Sequence, residues 1–116
     1  MLCYIGYLRE NVLTSIVGQL SAAEKLETLV CQGFTGSAVI DLCSVLPRLR
    51  QLKIIYLDDT DLSEQQGVHL ELDMEGLQQI QLDKVTMTTK QFRSLLSAIS
   101  SPRVCGWSWG TVTMDH

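Results

Sequence analysis

Leu77-Gln78-Gln79-Ile80-Gln81-Leu82-Asp83-Lys84-Val85-Thr86-Met87 spaces its apolar residues in a way that fits neither a plain strand nor a helix. Ile80 and Leu82 alternate on one side of a short strand and point into a core. The residues after them turn the chain outward, and Phe92, Leu95, Leu96 and Ile99 then take the i, i+3, i+4, i+7 spacing of an amphipathic helix that returns along the other side. A unit of this kind cannot bury its apolar edge alone, so copies of it are expected to stack.

Copies are present. Leu26-x-x-Leu29-x-Cys31-x-x-Phe34, Leu49-x-x-Leu52-x-Ile54-x-x-Leu57 and Val104-x-x-Trp107-x-Trp109-x-x-Val112-x-Met114 share the pattern, and Leu2, Tyr4 and Tyr7 fill the same slots one unit earlier. The starts at Leu26, Leu49, Leu77 and Val104 lie 23, 28 and 27 residues apart. One L-x-x-L-x-L match is common by chance; four in one frame at similar spacing are not.

The segments between strands read as helices in three places. In residues 11–20, Leu13, Ile16, Val17 and Leu20 fall on one helical face. Residues 91–99 follow Thr88-x-x-Gln91, which has capping-box spacing, and precede Pro102 as a stop. A shorter helix is expected from Ser37 to Val45, packed through Val39, Ile40, Leu42 and Cys43 and stopped before Pro47. Ser63 to Met74 supports two readings: Ser63-x-x-Gln66 resembles a helix start, but Val68, Leu70, Leu72 and Met74 alternate with period two.

Repeats of 27 to 28 residues with a helical return resemble the ribonuclease-inhibitor-like subclass of leucine-rich repeats. This subclass also forms the C-terminal arm of NLR proteins, the nucleotide-binding, leucine-rich-repeat receptors of innate immunity. Gly76-Leu77-Gln78-Gln79-Ile80-Gln81-Leu82 followed by Phe92-Arg93-Ser94-Leu95-Leu96-Ser97-Ala98-Ile99 looks like an NLR repeat. The resemblance implies an α/β fold: a right-handed leucine-rich-repeat solenoid, a short horseshoe arc with parallel strands on the concave side and helices on the convex side. It implies one domain over residues 1–116, with about five strands. It also implies a cytoplasmic protein-interaction module, the ligand-sensing or autoinhibitory arm of such a receptor. A free-standing inhibitor or adaptor resembling ribonuclease inhibitor is the alternative. At the ninth repeat position, where the family usually has Asn or Cys, this frame places Tyr7, Phe34, Leu57, Val85 and Val112. No G-x-x-x-x-G-K-[ST] phosphate loop is present. The chain starts inside a repeat and ends soon after a strand, so it is expected to be part of a larger protein.

Composition supports an ordered, packed chain: 116 residues, 46% hydrophobic, with only two prolines. A net charge of −4 argues against binding nucleic acid or anionic membrane without specificity. No apolar run is long enough to span a membrane, and the apolar opening lacks the basic flank of a signal peptide. The cysteines Cys3, Cys31, Cys43 and Cys105 form no C-x-x-C pair and are expected to be reduced, packed thiols.

The residues flanking the inward strand positions are expected to face the concave side and bind a protein partner or a second copy of the chain, as a homodimer. They are Cys3 and Ile5; Thr28, Val30 and Gln32; Gln51, Lys53 and Ile55; Gln79, Gln81 and Asp83; and Ser108 and Gly110. Trp107 and Trp109 read as core. Asp58-Asp59-x-Asp61 hints at calcium, but an EF-hand loop beginning at Asp59 would need Gly and Glu where Glu64 and Leu70 stand, so a solvated turn is expected. His69 and His116 lack partners at useful spacing, and Ser15, Ser37, Ser63 and Ser94 sit in no G-x-S-x-G context. No enzyme, metal or cofactor site is expected.

Overall fold

The computed structural model describes residues 2–20, 22, 25–34, 36–63, 76–99 and 106–114. In chain order these form β1 (Leu2–Gly6), α1 (Glu10–Leu20), β2 (Thr28–Gln32), α2 (Ser37–Val45), β3 (Ile54–Asp61), β4 (Gln79–Met87), α3 (Thr89–Ile99), β5 (Gly106–Trp109) and β6 (Val112–Met114). All strand pairs are parallel, and each strand lies beside its neighbour in sequence, in the order β1-β2-β3-β4-β5, with β6 also on β4. The fold is α/β, a parallel sheet alternating with three helices. The undecided segment from Ser63 to Met74 lies outside the described residues apart from Ser63 itself.

One face of the sheet is packed. Cys3, Leu29, Ile55, Ile80 and Trp107 stand in one row across the strands, and Ile5, Cys31, Leu57, Leu82 and Trp109 in the next. Ile5, Leu29, Ile55, Ile80, Cys31, Leu57 and Leu82 share one buried cluster with Leu13 and Val17 of α1, Val39 and Leu42 of α2 and Leu95 of α3. The helices therefore cover this face. The side chains of Trp107, Trp109 and Ile99, expected to point inward, lie outside the described ones.

Two expected registers are corrected. In β1, Ile5 is 3% exposed while Leu2 and Tyr4 are 64% and 60% exposed, the reverse of the expected phase. Every residue from Leu2 to Ile5 is apolar or aromatic, so no alternation marks the buried side, and a one-residue slip exchanges the faces. In β3 the inward pair is Ile55 and Leu57, three residues later than the expected Leu52 and Ile54. Both frames satisfy L-x-x-L-x-L. The chain leaves α2 through a 3-10 turn, Leu46–Arg48, and tight hydrogen bonds from Leu49 N to Leu46 O and from Leu52 N to Leu49 O hold those leucines in the loop (both 3.1 Å). With this register Cys31, Leu57, Leu82 and Trp109 recur every 25 to 27 residues, and the short repeat disappears.

The pattern also has a backbone cause. Tyr7, Gly33, Asp59 and Lys84 each follow one of the aligned residues Gly6, Gln32, Asp58 and Asp83, and all four have positive φ, of 51°, 72°, 50° and 52°. A left-handed residue breaks the two-residue alternation, so the next buried residue on the helix side comes three positions after the last one: Phe34 after Cys31, Thr60 after Leu57, Val85 after Leu82. Thr60 thus takes the ninth-position slot expected for Leu57, and its buried hydroxyl donates to Asp58 O (3.0 Å).

The helices follow their sequence patterns. α1 buries Leu13, Val17 and Leu20, with Ile16 partly buried. α2 buries Ala38, Val39, Leu42 and Cys43, while Ile40, expected to pack inward, is exposed and its place on the inner face is taken by Ala38. α3 carries the expected capping box: Gln91 N–H donates to Thr88 Oγ1 (3.2 Å) and Thr88 N–H donates to Gln91 Oε1 (2.8 Å). Leu95 is buried and Phe92 partly so, but Leu96 is exposed. α2 is capped from outside: the Ser37 N–H and hydroxyl both donate to Glu10 Oε1 (2.6 Å each).

Candidate functional site

Parallel pairing carries one side chain from every strand onto each row of the sheet, so the face away from the helices is also laid out in rows. Tyr4, Val30, Tyr56, Gln81 and Ser108 form one row; Gly6, Gln32, Asp58 and Asp83 form the next. Among the described residues no helix or strand covers this open face. Of the expected binding residues, Thr28, Val30, Gln32, Gln79, Gln81, Asp83 and Ser108 stand on it. Three do not. Ile5 and Ile55 are core, and Cys3 occupies an inward position packed against the core. Gln51 and Lys53 precede β3; Lys53 pairs with Glu27 at 3.5 Å, both about half exposed. Such a pair contributes little to stability. Gly110 follows β5 and leaves room for Asp83, whose Oδ1 accepts from Thr111 N–H (3.1 Å).

Tyr4, Tyr56 and Asp58 are among the open-face residues that the sequence frame missed. Tyr4 and Asp58 connect through Gln32 across three strands. The Tyr4 hydroxyl donates to Gln32 Oε1, and Gln32 Nε2 donates to Asp58 Oδ2 (3.0 Å). Gly6 makes this chain of bonds possible: a Cβ there would lie 2.9 Å from Gln32 Oε1. Asp58 is only 8% exposed, and its Oδ1 has no hydrogen-bond partner. It stands directly across from Asp83.

The carboxylates set the electrostatics of this face. Partial desolvation, then Asp58 and Asp83, raise the Tyr56 hydroxyl above its ordinary range, with Lys84 opposing them. Partial desolvation, followed by Asp58 and Asp59, does the same to Tyr7, whose hydroxyl also bonds Asp59. Both rings therefore stay neutral donors at any physiological pH. The expected solvated turn at Asp58-Asp59-x-Asp61 is instead the end of β3. Asp58 joins the open face, Asp59 takes the left-handed position, and Asp61 Oδ1 accepts from Ser63 N–H (2.9 Å). The three do not converge, and among the described residues no group of three His, Cys, Asp or Glu side chains is placed to hold a metal ion.

Elsewhere the chemistry is sparse. Cys3, Cys31 and Cys43 are free thiols, and Cys105 lies outside the described residues. Burial raises all three above the ordinary thiol range, Cys43 to about 12, which leaves them weak nucleophiles. A cleft of about 310 Å³ between α1 and α2 is lined by Thr14, Gly18, Asp41, Ser44 and Arg48 among others. The Ser44 hydroxyl donates to Ile40 O (3.0 Å), so no base activates it. No described helix is long and apolar enough to cross a membrane. His69 and His116 lie outside the described residues. Comparisons with protein-family models, with curated proteins and with solved structures return no match.

Proposed function

We propose that this chain is a leucine-rich-repeat solenoid that works by protein recognition rather than catalysis, with the open sheet face as the concave binding surface. The observation that carries this reading is the register. One strand and one return per 25 to 27 residues align the inward rows while leaving the row Tyr4, Val30, Tyr56 and Gln81 uncovered. An uncovered row of tyrosine, valine and glutamine supplies large contact area at low entropy cost, together with adaptable hydrogen bonding. By resemblance of its repeats, the module is the ligand-sensing or autoinhibitory arm of an NLR-type cytoplasmic immune receptor. A partner bound to the arc would shift the balance between states that hold other domains together or apart.

The test uses peptides selected on the chain from a random display library and mapped by amide chemical shifts. The expected footprint centres on Val30, Tyr56 and Gln81. A footprint on α1 and α2, or no selectable ligand, contradicts the reading.

A further inference from the structure

One end of the sheet differs from the rest of the surface. Among the described residues β1 is an outermost strand, paired on one side only, with β2. The Tyr7 N–H donates to Gln32 O (3.0 Å), which fixes the alternation of this parallel ladder. The backbone groups of Cys3 and Ile5 therefore point to β2, and those of Leu2, Tyr4 and Gly6 point away from it. Exposed strand edges are usually guarded by a charge, a proline or a bulge. β1 reads Leu-Cys-Tyr-Ile-Gly in unbroken register and has none of them.

Apolar surface gathers at the same end. Of the seven large hydrophobic side chains exposed among the described residues, five lie between Leu2 and Val12, where the strand edge is open. α1 extends this surface. Its Thr14 and Gly18 line the cleft toward α2, so the helical period puts Val12 and the partly buried Ile16 on the opposite flank, facing out of the stack. Residues 2–20 carry only Arg9 and Glu10 as charges, which leaves this end neutral in a chain of net charge −4. Two tyrosines of roughly 200 Å² each, more than half exposed, and three aliphatic side chains amount to several hundred Å². With the strand edge added, that approaches the roughly 800 Å² per partner of a standard interface.

The edge is complementary to itself. Turned about a two-fold axis through Tyr4, β1 meets β1 of a second copy antiparallel, with Tyr4 opposite Tyr4 and Leu2 opposite Gly6. Every outward N–H and C=O of the strand is then used, in about six main-chain hydrogen bonds. The Tyr4 ring leans over Gly6, where an added Cβ would lie 3.1 Å from Tyr4 Cε1. Leu2 of one copy thus meets the tyrosine ring that lies over the glycine opposite it. The axis stands normal to the sheet, so both sets of helices stay on one side and the two open faces join. We infer that the outer edge of β1, flanked by Val12 and Ile16 of α1, pairs with a second copy of this chain to close a two-fold dimer through a continuous sheet. The pairing does not depend on what the open face binds.

Sedimentation velocity of the full chain across a concentration series, with amide hydrogen exchange at both ends of the series, tests this. The expected species has twice the mass of one chain and grows no further, with Kd on the order of micromolar. The Tyr4 and Gly6 N–H groups should gain at least about tenfold protection as the dimer fills, while those of Cys3 and Ile5, already turned to β2, change far less. Leu2→Lys and, separately, Val12→Lys should each weaken association at least about tenfold. Both side chains are exposed in the single chain, so the melting of each variant at low concentration should match the native chain. Leu96→Lys, the same kind of change on exposed α3, should leave association as it was. A monomer up to about millimolar concentration would overturn the inference. So would a mass that keeps growing past the dimer, the mark of head-to-tail stacking. Unprotected Tyr4 and Gly6 amides in the dimer, native association in both β1–α1 variants, or an equal loss in Leu96→Lys would also overturn it.

Discussion

Left-handed backbone recurs at Tyr7, Gly33, Asp59 and Lys84, but only one of these four positions is a glycine. At Gly33 the conformation and the space agree: φ is 72°, and an added Cβ would lie 2.9 Å from the Tyr7 ring. Gly33→Ala is therefore expected to cost about 1–2 kcal/mol in chemical denaturation, from the left-handed penalty and the clash. Lys84 has the opposite balance. It is exposed and adopts φ 52° without a glycine's freedom, so Lys84→Gly should gain up to about 1 kcal/mol in the same measurement. A loss at Lys84, or a gain at Gly33, would contradict the assigned backbone. Asp58 is a different kind of tension, chemical rather than conformational: it is buried, and its Oδ1 accepts no hydrogen bond.

At the scale of elements, α2 depends on α1. Its N-terminus receives a carboxylate from Glu10, where the helix dipole and the Ser37 N–H favour negative charge. Hydrogen bonds from the Ser37 hydroxyl and then its N–H hold the Glu10 carboxyl below the usual range, with desolvation opposing them. A depressed carboxyl stabilises the fold above its unfolded pKa of about 4.3 and loses that contribution as pH falls through its folded value. Melting temperature against pH should therefore drop more shallowly below about pH 4.3 for Glu10→Gln than for the native chain. Identical acid limbs would remove Glu10 from the cap. How much was legible also divides by element. α1, α2 and the Thr88–Gln91 box were readable because helical spacing and capping chemistry lie within about ten residues of sequence. The phases of β1 and β3 were not: an all-apolar stretch hides one, and overlapping leucines at Leu49 and Leu52 hide the other. The open-face site depended on both registers. Gln32 and Asp83 were found in strands that were framed correctly, while Tyr4, Tyr56 and Asp58 were missed in strands that were not. The left-handed positions at Asp59 and Lys84 carry no glycine to announce them.

Across the described residues, the sheet separates one face packed by helices from one that no described element covers, and which residues stand on which side decides what the sheet can present. Stacked in sequence order, the units bury one another's inward rows, so a misplaced charge in those rows should unfold the chain, while one on the open face should not. Adjacent isoleucines at the start of β3 put this to the test with identical chemistry. Ile55 is fully buried and Ile54, its neighbour, is partly exposed on the other side. The most direct measurement is thermal and urea unfolding of Ile54→Lys and Ile55→Lys side by side. Ile55→Lys should lose at least about 3 kcal/mol or fail to fold cooperatively, because an unpaired charge enters the core. Ile54→Lys should stay within about 1 kcal/mol of the native chain, as surface changes do. The reverse ranking would turn β3 over, move Tyr56 and Asp58 off the open face, and contradict the account.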